Sequence, residues 1–342
     1  MSLARAIETG DLAELPSRRD EDWRWTDLRG LIRELPAASS AYDGALPPTP
    51  FAADEYLQIV NGRGPAEIAI AEGAVRTVLL RIVATGAGAH ASQTRIDVAP
   101  DARLTLIETY EALGGGYTAE ADLDIHLGVG AQLERIVLAE DAADGVRVSR
   151  ADIALAPNAA LTQTVITAGA RRQRLETRVA HPGAGASVRL DGLYLVAGQR
   201  HADITTVVTH HGAHGTTDQL IKGVARDQGR GVFQGRIVVA EGADQTDARM
   251  GHHALLLSDR AEVDAKPELE IFADDVACAH GNTVGALDEE ALFYAEQRGI
   301  PEADARAMLT EAFVGEVVDR IEHEGARDVV RAWVARHLAG AE

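Results

Sequence analysis

The sequence contains a single cysteine, Cys278, so no disulfide can close within the chain, and a reducing cytoplasm is the expected location. Aromatic residues make up only 4% of 342 positions. A core centred on large rings is thereby excluded. With 46% hydrophobic residues, the interior must be assembled from small and branched aliphatic side chains, an economy that suits repetitive packing. Basic charge is scarce too: 33 Lys and Arg stand against 53 Asp and Glu, a formal net charge of -20. Only short clusters such as Arg171, Arg172 and Arg174 concentrate it, so no nucleic-acid partner is expected. No apolar run reaches the ~18 residues of a membrane-spanning helix, and no membrane partner is expected. The opening MSLARAIETGDLAEL lacks a basic stretch followed by an apolar one and reads against a secretory leader. A G-x-x-x-x-G-K-[ST] phosphate loop is also missing, which reads against nucleotide hydrolysis by this chain.

What is present divides into three segments. Residues 1–65 read as an interrupted helical region, with an EDWRWTDL stretch whose Trp23 and Trp25 would anchor it, followed by a linker. In that linker, PAASSAYDGALPPTP, prolines remove the backbone donors that a regular element needs, so it is a tether or a strap laid along a surface.

Residues 66–286 break into short β-branched runs of period two, among them RTVLLRIVATG, RLTLIETYEA, QLERIVLAE and SVRLDGLYLVAG. A small turn signature precedes many of them, with alanines at Ala102, Ala131, Ala159, Ala186, Ala213, Ala243 and Ala261, spaced by 27 to 30 residues except for a last interval of 18. Near-constant spacing of one unit indicates stacked coils, and helices able to serve as βαβ crossovers are missing. A parallel β-helix satisfies both facts; a β-sandwich with coincidental spacing is the competing reading. Residues 287–342 turn helical: Asp288 stands at a cap position, Gly299 where the chain would leave the helix, and Ala305, Met308, Leu309, Ala312, Phe313, Val317 and Ile321 form an apolar stripe. A third helix would place Val329, Val330, Trp333, Val334 and Leu338 on one side. The stripes either bury one another or offer a face to a partner.

Chemistry concentrates in ADDVACAHGNTVGALDEEALFYAEQRGI, residues 273–300. In an extended strand Cys278 and His280 leave the same face, presenting a thiol and an imidazole suited to a soft or borderline metal. The same pair could serve a cysteine hydrolase, but a strand near the end of a rod offers no cleft, and Asp274 and Asp275 would hold the thiol pKa up. An inert buried thiol beside a histidine bonded to a carbonyl is equally compatible with the spacing. If an iron-sulfur cluster forms here, one sulfur is too few, and the remaining ligands must come from another chain. His210, His211 and His214, and His252 and His253, form further clusters; at the corners of stacked coils they would face solvent or stack on neighbouring rungs.

GRGVFQGRIVVAEGADQTDA, LLLSDRAEVDAKPELEIFADDVACAHGNTVGALDEEALFYAEQRGI and LPSRRDEDWRWTDLRGL together resemble the SufB/SufD family of iron-sulfur cluster assembly proteins. With one cysteine, the chain resembles the SufD branch. The resemblance implies a right-handed parallel β-helix flanked by an N-terminal helical region and a C-terminal helical domain. It also implies a non-catalytic scaffold that pairs with SufB through the β-helix end and docks the ATPase SufC through its C-terminal helices. Cys278 and His280 match the family's C-S-H-G motif, where a transient iron-sulfur cluster would be shared with SufB. Ala279 replaces the usual serine, and Asn282 stands where alanine or cysteine is common. Leu287, Asp288, Leu292, Phe293, Tyr294, Arg298 and Gly299 match the block adjoining the SufC-docking region. An isolated chain, with its β-helix end open, could pair with itself as a homodimer. A polysaccharide-active β-helix enzyme and a structural spacer without metal ligation are the alternatives.

Overall fold

The computed structural model describes residues 1–181 and 183–339. A short helix, α1 (Leu3–Thr9), and two single 3-10 turns precede the strands. The strands are β1 (Glu55–Val60), β2 (Glu67–Ile70), β3 (Val75–Ala84), β4 (Gly88–Val98), β5 (Arg103–Ala112), β6 (Tyr117–Leu127), β7 (Gln132–Glu140), β8 (Val146–Leu155), β9 (Ala160–Thr167), β10 (Arg172–His181), β11 (Ser187–Val196), β12 (His201–His210), β13 (Thr216–Ala225), β14 (Arg230–Val239), β15 (Asp247–Leu256), β16 (Glu262–Ile271) and β17 (Ala277–Gly285). Helices α2 (Glu289–Gln297), α3 (Glu302–Val318) and α4 (Glu324–Ala339) follow. Odd strands form one nine-stranded sheet and even strands an eight-stranded one, each in chain order and each wholly parallel. Every turn of the chain therefore lays one strand on each sheet, and about eight turns stack into a parallel β-solenoid. Its first strand, β1, lies ahead of residue 66 and pairs with β3.

The repeat seen in the sequence has its cause at one corner. Strand starts bond back to the residue preceding the strand one turn earlier: Arg103 N–H donates to the Ala74 carbonyl, then Gln132 to Ala102, Ala160 to Ala131, Ser187 to Ala159, Thr216 to Ala186, Asp247 to Gly215 and Ala277 to Thr246. The residue just before each of these acceptors is left-handed: Gly73, Asp101, Gly130, Asn158, Gly185, His214 and Gln245. Small residues suit the corner because each is pressed into the interior; Ala102, Ala131, Ala159 and Ala186 are fully buried. In the last turns the register departs from the alanine pattern. Gly215 and Thr246, not Ala213 and Ala243, continue the ladder. Ala261 precedes β16 and so belongs to the opposite sheet, which accounts for the short final interval.

On the odd strands β3 to β13, alternation divides side chains between two apolar environments. On β7, Leu133, Val137 and Ala139 point between the sheets, while Ile136 and Leu138 point outward under the C-terminal helices. Strands buried on both faces read as nearly continuous hydrophobic runs. The helical stripes are covered chiefly by the solenoid rather than by one another: Val314, Val317, Val318, Ile321, Val330, Trp333 and Val334 pack on Leu79, Ile107, Ile136, Ile166 and Leu193. Met308, on the expected stripe, is instead 56% exposed. Trp333 Nε1 donates to Glu140 at 3.0 Å, and Lys222 of β13 lies 4.3 Å from the Phe313 ring centroid and pairs with Glu316.

The N-terminal segment crosses the other sheet. Leu3, Ala6, Leu15, Leu28 and Ile32 pack with Val146 and Val148. The EDWRWTDL stretch is held by a polar network more than by its tryptophans: the Arg174 guanidinium lies 4.4 Å over Trp23 and bonds the Asp22 carbonyl and Asp203, Thr26 donates to Asp203, and Gln234 reaches the Asp22 carbonyl. The proline-rich linker is a strap: Ala37 and Ser39 exchange backbone bonds with Ala89, and Arg81 donates to the Pro47 carbonyl at 2.8 Å. Among the described residues no helix is long and apolar enough to cross a membrane.

Candidate functional site

The solenoid ends at β16 and β17. Each pairs on one side only, β17 with β15 and β16 with β14, and the last turn is far more exposed than those beneath it. Ile271, Phe272 and Val284 are exposed there. Register shows what this end displays. Ala248 pairs with Cys278, Met250 with His280 and His252 with Asn282. Ala248, Met250 and His252 are buried residues of the inward face. Cys278, His280 and Asn282 therefore extend three interior lines onto the uncovered strand, and alternation places Ala279 and Thr283 on the other face.

Cys278 is half-buried and packs against the central core. Burial pushes its thiol pKa up, the Asp247 carboxylate adds to this, and the bond with the Ala248 backbone opposes it. The expected influence of Asp274 and Asp275 is thus taken by Asp247, one rung below. A thiol held up in this way is a poor nucleophile at neutral pH, but a bound metal cation strips its proton outright. Among the described residues no three His, Cys, Asp or Glu side chains assemble around a metal position, so Cys278 and His280 have no third such donor beside them.

Beneath the end lies a polar chain that sequence reading left unassigned. His252 stacks on Phe233, ring centroids 4.9 Å apart at 17°, and its Nε2 is 3.0 Å from the Tyr194 hydroxyl. Its Nδ1 lies 2.6 Å from Asn282 Oδ1. Burial lowers the His252 pKa to about 4, so the ring is neutral. Only the thirty-residue stagger between paired strands brings His252 to Asn282, and that stagger had to be known to find them. His253 meets Thr283 on the other face at 2.7 Å. The remaining histidines separate: His210 is buried and stacks edge-on with His181 of the adjacent rung, centroids 3.8 Å apart, while His211 and His214 are exposed.

Past Gly285 the helical block begins. Leu287 and Leu292 are buried with Leu255 and Ala305 and fix α2 to the solenoid. Asp288 caps α2, its carboxylate accepting from Glu290 N at 2.9 Å and Ala291 N at 3.3 Å. Gly299 adopts φ +85°, which lets the chain leave the helix. Phe293 and Tyr294 are 62% and 60% exposed, and the Arg298 guanidinium lies 4.4 Å over the Tyr294 ring and donates to its hydroxyl. The block thus splits into two residues that bound α2, Asp288 and Gly299, two that seat it, Leu287 and Leu292, and an exposed trio, Phe293, Tyr294 and Arg298.

The family profile described as SUF system FeS cluster assembly, SufBD core domain, matches residues 81–313, from β3 into α3. The iron-sulfur cluster assembly protein SufD of Escherichia coli is 29% identical over 99% of this chain and 92% of its own length. SufD of Bacillus subtilis is 32% identical over 41% of this chain and 32% of its own, and the chloroplastic protein ABCI7 of Arabidopsis thaliana 33% identical over 48% and 35%. The solenoid, its open end and this match lead to one conclusion: the chain belongs to the SufBD core family of the SUF iron-sulfur cluster assembly system.

Proposed function

We propose that this chain is a SufD-like scaffold subunit, non-catalytic itself, that pairs with a SufB chain through the β16–β17 end and docks the SufC ATPase through the exposed face of α2. A nascent iron-sulfur cluster, the substrate of the assembly, is held at that junction, with Cys278 and His280 as this chain's ligands and SufB supplying the others. One observation carries the reading: Cys278 and His280 continue buried interior lines of the solenoid onto a strand that no further strand among the described residues covers. A second solenoid end stacked there would bury them as Ala248 and Met250 are buried.

The two edge strands support the same pairing. β16 carries Glu262, Asp264, Lys266, Glu268 and Glu270, and Pro267, which has no N–H to offer; charge and proline are how an edge strand is kept from pairing. β17, ACAHGNTVG, has no Asp, Glu, Lys or Arg and no proline. Its edge is left available. Nucleotide-driven approach of two SufC subunits would pull on α2, and because α2 follows β17 directly, that movement would reach the Cys278–His280 strand. Without SufB the same edge is free to pair with a second copy of this chain.

Co-expression with SufB and SufC followed by anaerobic reconstitution tests the reading. Cys278→Ala and His280→Ala are expected to lower cluster content severalfold while the complex still assembles. Unchanged cluster content in both variants would leave a spacer that ligates nothing.

A further inference from the structure

The Tyr194–His252–Asn282 chain has a direction, and the direction follows from counting protons. Tyr194 is fully buried, and burial raises its phenol pKa far above neutrality, so its hydroxyl keeps its proton. The hydroxyl's hydrogen-bond partner is His252 Nε2, and a buried O–H left without an acceptor is costly. Tyr194 therefore donates and Nε2 accepts. A neutral imidazole carries one N–H, so that proton sits on Nδ1 and is donated to Asn282 Oδ1. With its carbonyl oxygen engaged inward, Asn282 turns its NH2 group away from the core, toward the open end. The ring cannot easily swing out of this arrangement: Phe233 stacks on His252, and Tyr194 fills the space left by Gly223 and Gly231, where added Cβ atoms would lie 1.9 Å and 2.2 Å from its ring.

We infer that Asn282 is a third functional residue of the open end, an N–H donor aimed at the sulfide sulfur of the substrate held by Cys278 and His280, with Tyr194 and His252 as the positioning residues behind it. Asn282 is two positions from His280, about 7 Å along the strand and on the same face, within reach of an anion one bond beyond an iron held by His280. A neutral N–H directed at an anionic sulfur adds stabilisation without adding a ligand. The inference rests on the functional reading above.

Two measurements separate the two. First, in the metal-free full chain labelled with 15N-histidine, the ring shifts of His252 are expected to report the Nδ1–H tautomer between pH 6 and 8, and Tyr194→Phe to abolish that preference. An Nε2–H tautomer in the parent chain would turn the Asn282 carbonyl outward and overturn the inference, whatever happens to cluster binding. Second, the complex with the proposed partners is reconstituted with ferrous iron and sulfide and challenged with a chelator. Loss of iron is expected to accelerate on the order of tenfold in Asn282→Ala, and at least as much in Asn282→Asp, which replaces the donor by a carboxylate. Asn282 is exposed, so these variants spare the core. Parental release rates in Asn282→Ala, with Cys278→Ala still defective, would sink the role of Asn282 alone; parental rates in all of these variants would remove the substrate from this end and the inference with it.

Discussion

Burial has opposite consequences for the two kinds of titratable side chain inside the solenoid. It lowers the pKa values of His90, His181 and His252 to about 4 and of His201 and His210 to about 3. In the unfolded chain these rings take up protons below about pH 6.5. Folding excludes those protons, so stability is at its full value above that pH and falls as pH drops toward 4. Glu120 and Asp191, pushed up to about 7 by burial, and Asp122, also raised, act the other way: the folded chain keeps protons that the unfolded one releases, and their contribution grows as pH falls. Five histidines outweigh three carboxylates. The melting temperature is expected to decline between pH 7 and pH 4.5 in scanning calorimetry, and a flat or rising profile would contradict the neutral state assigned to the buried rings. His252 belongs to this group, and with a folded pKa of about 4 it stays neutral across that interval, so the positioning of Asn282 should hold until the pH approaches 4.

Helix by helix, the solenoid acts as a platform. α4 is seated by Trp333, fully buried among Ile136, Leu138 and their neighbours and bonded to Glu140, so Trp333→Ala is expected to cost about 3–5 kcal/mol in urea unfolding. Met308→Ala, at an exposed position of α3, should change stability by less than about 0.5 kcal/mol. Equal effects at both positions would mean that the helices are not packed as described. The contrast also shows where sequence periodicity stops being informative. Spacing put Met308 and Val317 on one stripe, because a helical face about 100° wide admits several residue sets; the sheet beneath selects Thr310, Val314, Val317 and Val318. Stacked coils were legible because each turn repeats a steric demand for a small corner residue, and Cys278 with His280 because two-residue spacing sets a common face. The failures are equally physical: glycine and threonine satisfy the corner as well as alanine does, so Gly215 and Thr246 were passed over. The bond between His252 and Asn282 depends on inter-strand register, which no local pattern carries.

Across the whole molecule, the two faces of the solenoid are covered by its own termini, while its terminal strands, β1 and β2 at one end and β16 and β17 at the other, pair on one side only among the described residues. The helices shield the nine-stranded sheet and the N-terminal segment the other, so unpaired strand edges are left at the two ends, and the β16–β17 end adds the exposed apolar side chains of Ile271, Phe272 and Val284. A net charge of -20 opposes association at long range, but β17 itself carries no Asp, Glu, Lys or Arg, and screening by salt at ~0.15 M confines the repulsion to about 8 Å. Purified without a partner, the chain is therefore expected to sediment as a concentration-dependent dimer whose association strengthens with added salt. Phe272→Glu together with Val284→Lys, both at exposed positions, should return it to a monomer with an unchanged circular dichroism spectrum. If that double variant still dimerises, while substitution of Phe293 and Tyr294 abolishes the dimer, then the self-associating surface is α2, and the open strand cannot be the edge that a partner solenoid occupies.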